Sequence, residues 1–118
     1  MIRTKRIYDR PVKGDGTRLL AERLWPRGIK KEYADLDGWL RDAAPSMGLR
    51  KWFSHDAAKW PEFQRRYHVE LNQHPEAWRP VLDAARKGNV TLLFSSHDAK
   101  HNNVVALKTY LDEQATGK

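Results

Sequence analysis

Val90-Thr91-Leu92-Leu93-Phe94-Ser95-Ser96-His97-Asp98-Ala99-Lys100-His101-Asn102-Asn103-Val104-Val105-Ala106-Leu107 is the stretch whose reading decides the fold. Residues 90–95 form a short, continuous apolar run, which suits a strand buried on both faces. A polar turn follows, and the turn opens a helix that starts near Ala99 and buries Val104, Leu107 and Leu111 on one stripe. Strand, polar turn, helix is the unit that α/β proteins repeat. In open α/β sheets, ligands bind at the carboxyl ends of strands, beside helix N-termini.

Working outward, residues 60–72 are the clearest helix. Pro61 suits a first-turn position, and Trp60, Phe63, Tyr67 and Leu71 recur at helical spacing. A second helix is predicted over 76–87, stopped by Gly88, with Pro80 delaying its regular part. Ser46 caps a short helix that runs to Phe53. Residues 2–8 read as a first strand. Residues 18–24 taken alone fit a helix as well, but Pro26 and Gly28 favour a second strand ended by the turn Trp25-Pro26-Arg27-Gly28. Residues 37–43 fit a short strand or a helical turn equally well. The expectation is a single α/β domain over 1–118, with three to five mainly parallel strands flanked by helices.

Composition narrows the function classes. The absence of cysteine removes disulfides, thiolate catalysis and cysteine-based zinc sites. No apolar run approaches membrane-spanning length, and the first twenty residues lack a signal-peptide core. A cytoplasmic protein without membrane association is therefore expected. Twenty-two basic residues against 15 acidic ones give a net charge of +7, which favours anionic partners. The basic residues never gather into a tail, so solvated faces with one functional arginine cluster are preferred to a nucleic-acid surface.

Three turns hold the residue types that carry chemistry. The first is 95–103, with Ser95, Asp98, His101 and Asn102. Asp98 is placed to cap the final helix, and capping alone accounts for it as well as a site does. His101 and Asn102 would then lie in the opening turn, where N–H groups and the dipole favour an anion or an acid/base site. His97 and His101 stand four apart, but a metal site ranks below a metal-free polar one because His97 precedes the cap. The second turn carries Arg23 and Arg27, whose planar guanidinium groups match phosphate or carboxylate. A structural role in a buried pair competes with that reading. The third places His55 beside Asp56 after the aromatic pair Trp52-Phe53. No phosphate loop, dinucleotide fingerprint or nucleophile elbow is present, so any cofactor remains unknown.

At these same residues the chain resembles the YeaO-like family of small bacterial proteins, classed as a domain of unknown function. The phrases that carry the resemblance are Arg23-Leu24-Trp25-Pro26-Arg27-Gly28, Ala44-Pro45-Ser46, and Leu49-Arg50-Lys51-Trp52-Phe53-Ser54-His55-Asp56. Phe63-Gln64-Arg65-Arg66-Tyr67 and the strand 90–94 with Asp98, His101 and Asn102 complete the match, which runs end to end. The departures are Ser54 and Ala57, where the family often has Gly and Pro. The resemblance implies little about activity. Labels of regulator or methyltransferase attached to some family members find no support in these residues.

The expected function is binding of, or action on, an anionic small molecule at a polar pocket formed by the loops after the 18–24 and 90–95 strands. Arg23, Arg27, Asn102 and Ser95 would hold the ligand. Asp98, His101, His55 and Asp56 would supply acid/base or orienting groups. The alternative is a basic nucleic-acid-binding accessory or regulatory protein. A third reading, an interaction module using exposed tryptophans, is weakened by the helical spacing of Trp52 and Trp60. Oligomeric state stays open.

Overall fold

A computed structural model describes residues 1–117. Four strands, β1 (Ile2–Arg6), β2 (Thr17–Leu20), β3 (Gly38–Trp39) and β4 (Val90–Phe94), form one parallel sheet in the order β1-β4-β2-β3. The helices are α1 (Met47–Phe53), α2 (Trp60–Asn72), α3 (Pro75–Lys87) and α4 (Asn103–Gly117). The chain is a small α/β fold, as its pattern of elements implies.

β4 is the centre of the sheet. It pairs with β1 on one edge, Ile2 to Arg6 opposite Val90 to Phe94, and with β2 on the other. All five of its residues are buried. Val90, Leu92 and Phe94 join the core under the helices, with Phe63, Tyr67, Leu71, Val81, Val104, Leu107 and Leu111. Leu93 points to the other face, where Ile7, Leu20, Trp25, Ile29, Leu36 and Trp39 form a second cluster. That second face is covered by loops and short 3-10 turns. The four α-helices all pack into the first core, so they flank the sheet on one side.

Several boundaries differ from the sequence reading, each for a physical reason. The second strand stops at Leu20, well short of 24, because its ladder partners run out. Side chains take over its carbonyls: Asn103 Nδ2 donates to Ala21 O at 2.7 Å, and Trp39 Nε1 to Glu22 O at 2.6 Å. The first strand likewise ends at Arg6, and only the Ile7 N–H still reaches Phe94 O, at 2.8 Å. The ambiguous 37–43 segment contains both a two-residue strand and a 3-10 turn, Arg41–Ala43. α3 is regular from Pro75. Pro80 lies on its exposed side and removes one hydrogen bond, while Trp78 and Val81 anchor the helix in the core.

The final helix starts at Asn103, not near Ala99. Asn102 is the residue that caps it, accepting the Val105 N–H at 3.0 Å and donating to Asp98 O at 2.8 Å. Ser46 caps α1 as expected, accepting the Leu49 N–H at 3.2 Å. Its own N–H and hydroxyl donate to Glu70, tying α1 to α2.

At the amino ends of the strands lies a buried ion cluster. Asp15 accepts from Arg18 Nη1 at 2.6 Å and from Lys5 Nζ at 3.0 Å, and Thr91 Oγ1 donates to Asp15 O at 2.7 Å. Gly16 follows with φ +66°, and a Cβ there would lie 2.1 Å from Asn89 O. That close approach lets Thr17 N–H reach Asn89 O at 2.9 Å and seats β2 against β4. Burial pushes the Asp15 carboxyl up in pKa, but the Val12 N–H, Lys5 and Arg18 together hold it below its ordinary 3.8. The ionised form is therefore the one folding favours. Its contribution is complete above the unfolded value and is lost as pH falls through the lower folded value.

Asp15→Ala should destabilise the fold by roughly 3–5 kcal/mol, because Arg18 is left charged and unpaired in the interior. Urea unfolding as a function of pH checks the linkage. The wild type should lose stability below about pH 4 more steeply than Asp15→Asn.

Candidate functional site

The carboxyl ends of β2 and β4 open into a cavity of about 630 Å³. All three polar turns contribute to it. The segment after β2 supplies Glu22, Arg23, Leu24, Trp25, Pro26 and Arg27. The approach to α1 supplies Ala44 and Pro45, α1 itself adds Arg50 and Phe53, and His55 follows. The segment after β4 supplies Ser95, Ser96, His97, Asp98, Asn102 and Asn103, and Phe63 reaches in from α2.

Each segment is set by local chemistry. After α1, Ser54 and His55 are both left-handed, with φ of 46° and 58°. Two successive non-glycine residues in that region store backbone strain of about 1–3 kcal/mol each. The reversal turns the chain sharply enough to bring His55 to the cavity edge, and it explains why a glycine suits position 54. Arg23 is half-buried and bonded through two of its three nitrogens. Its Nε donates to Pro45 O at 3.2 Å and its Nη2 to Ala44 O at 3.0 Å. It therefore clamps the second wall segment to the first. Arg27 and Arg50 are exposed, and among the described residues neither guanidinium has a hydrogen-bond partner.

Ser95 is held by Glu22. The Ser95 N–H donates to Oε2 at 3.0 Å and its hydroxyl to Oε1 at 2.7 Å. Glu22 was not singled out by sequence, since it falls among the residues read as strand. Neither was Arg50, which reads as an ordinary exposed helix residue. The one sequence signal for Glu22 is an acidic residue just before the Arg-Leu-Trp-Pro-Arg turn.

Two expected site residues stand apart from the cavity lining. Asp56 caps the 3-10 turn Ala57–Lys59, accepting the Ala58 N–H at 3.0 Å. His101 Nδ1 donates to Asp98 Oδ2 at 3.0 Å, and its ring packs edge-on against Trp60 at 5.4 Å. Asp98 does line the cavity, but its Oδ1 accepts the N–H groups of Lys100 and His101, each at 2.9 Å. Those two N–H groups hold its carboxyl below the usual range. Asp98 thus caps a turn of its own, and His101 and Asn102 precede α4 rather than opening it. Among the described residues no three His, Cys, Asp or Glu side chains are placed to share a metal ion. Among the described residues no helix is long and apolar enough to cross a membrane.

The division of capping between Asn102 and Asp98 is measurable. Asn102 is buried and bonded at both ends, so Asn102→Ala should cost about 1–2 kcal/mol in denaturant unfolding. Asp98→Ala, at a partly exposed turn, should cost under about 1 kcal/mol.

Comparison with known proteins places the chain among relatives. The family model described as "Inactive DUF488-N3 subclade" matches residues 1–118. The uncharacterised protein YeaO of Escherichia coli strain K12 is 39% identical over 110 residues, 93% of this chain and 96% of that protein. Uncharacterised proteins of Mycobacterium bovis and Mycobacterium tuberculosis are each 39% identical over 71 residues, 60% of either chain. No solved structure matches. With its whole length matched by one family model and nearly all of it aligned to a 39% identical relative, the chain belongs to the YeaO-like family, in the inactive DUF488-N3 subclade.

Proposed function

We propose that the protein binds an organic anion in the cavity at the carboxyl ends of β2 and β4. The observation that carries this reading is the pair of unpartnered guanidinium groups, Arg27 and Arg50, lining one cavity from two separate segments. Arginine presents a planar fork suited to phosphate or carboxylate, and a free pair needs no existing ion pair to be broken. The cavity falls in the 300–1,000 Å³ range of small-molecule sites and mixes apolar side chains with a few polar ones. The net charge of +7 draws anions toward it.

Binding is favoured over turnover. Asp98 and His101 form the best acid/base pair, yet the imidazole packs on Trp60 rather than lining the cavity. Ser95 is bonded to a carboxylate and has no imidazole on its hydroxyl. Membership of a subclade described as inactive agrees with a protein that holds a ligand without transforming it. In this reading Arg27 and Arg50 grip the anion, His55 and His97 flank it, and Arg23, Asn102 and Ser95 keep the walls in place.

Thermal unfolding with phosphorylated metabolites, carboxylates, nucleotides and short nucleic acids, at matched ionic strength, tests the proposal. A ligand at about a hundredfold its Kd adds roughly 2.7 kcal/mol, enough to raise Tm by several degrees. Arg27→Ala and Arg50→Ala should abolish the shift while leaving the unliganded Tm nearly unchanged, because both residues are exposed. His101→Ala should keep it. Equal shifts from every polyanion, vanishing with salt, would instead support the nucleic-acid or generic-charge alternative.

A further inference from the structure

The charges around the cavity are not of one sign. Glu22 lines it together with Arg27 and Arg50. Its carboxylate is half-buried and fixed in place: Ser95 donates once to each oxygen, and Trp39 Nε1 holds the Glu22 backbone carbonyl at 2.6 Å. Each oxygen keeps a further acceptor position.

Among the described residues, no basic side chain makes an ion pair with Glu22. Its sequence neighbour Arg23 turns away to donate Nε and Nη2 to the carbonyls of Pro45 and Ala44 and makes no ion pair with it. The contrast with Asp15 is direct, since that buried carboxylate has both Lys5 and Arg18. A partly desolvated carboxylate with oriented free lone pairs and no counter-charge is a site for a cation.

We infer that the ligand of this cavity is an ampholyte, carrying a protonated amine for Glu22 as well as an anionic group for Arg27 and Arg50. The inference rests on the anion-site reading above and narrows its ligand class. A simple dianion of cavity size meets the arginines but is repelled by Glu22. A molecule with an ammonium at one end, a phosphate or carboxylate at the other and an apolar middle meets both charges. Its middle packs against Leu24, which is 50% exposed at the cavity although apolar, and against Pro45.

Calorimetric titration with two matched series tests this: ω-aminoalkyl phosphates of increasing chain length, and alkyl phosphates of the same lengths. A parallel pair of ω-aminoalkanoates and alkanoates identifies which anionic end is taken. At the best length the amine-bearing member should bind the wild type at least about tenfold tighter than its alkyl counterpart. Glu22→Gln, which keeps an acceptor for Ser95, should bring that ratio close to one while retaining the alkyl phosphate.

Equal affinities for the two series in the wild type would overturn the ampholyte assignment and leave the anion site standing. A ratio that persists in Glu22→Gln would also overturn it, because the amine would then be read elsewhere. No binding by any member would overturn both readings. The wild-type comparison decides the question even if Glu22→Gln does not fold.

Discussion

β4 lies between β1 and β2, which end 84 and 70 residues before it begins, and the rest of the structure depends on that insertion. β1 and β2 are not neighbours; each is hydrogen-bonded to β4 and reaches the other only through it. Without residues 90–94 the first two strands have no shared ladder, and only the short β2–β3 pairing remains. Burial of all five β4 residues rewards the arrangement, at roughly 1.5–3 kcal/mol for each large apolar side chain. Both faces must be closed for that gain, one by α1–α4 and the other by the loop cluster around Leu20, Leu93 and Trp39.

The same insertion makes the cavity. Where the ladder ends, the chain after β2 and the chain after β4 leave the sheet side by side, and their exposed carbonyls need new donors. Asn103 serves Ala21, Trp39 serves Glu22 and Arg6 serves Ser96, while Arg23 ties the Ala44 and Pro45 carbonyls to the chain after β2. These bonds hold the walls apart at fixed positions. Arg27, Arg50, His55 and the free face of Glu22 are the polar groups they do not consume, and these are the ones the proposed ligand would meet. The strained reversal at Ser54 and His55 belongs to this rim and has no counterpart in the buried core.

Much of this was legible from local pattern. The helical spacing of Phe63, Tyr67 and Leu71, the Ser46 cap and the apolar run 90–94 each identify their element without reference to the others. Arg27 and His55 stood out because turn residues with chemistry contrast with faces that look like core. Asp98, His101 and Asp56 show the limit of that logic. An acidic residue in a turn satisfies either a ligand or the N–H groups beside it, and here Lys100, His101 and Ala58 supply those N–H groups. Glu22 and Arg50 escaped notice for the opposite reason: each sits where a solvated charge is unremarkable, and only the neighbours it acquires give it meaning.

The sequence by itself determined the family, the α/β class, the identity of most helices and the faces they bury. Those properties follow from periodicity and capping, which act over a few residues. The tertiary structure alone decided the strand order, the lengths of β1 and β2, the start of α4 and the meeting of three separated turns around one cavity. A strand is only as long as its partner. A side chain's role likewise depends on which donors and charges lie within about 3 Å of it, and here those groups come from up to 90 residues away along the chain.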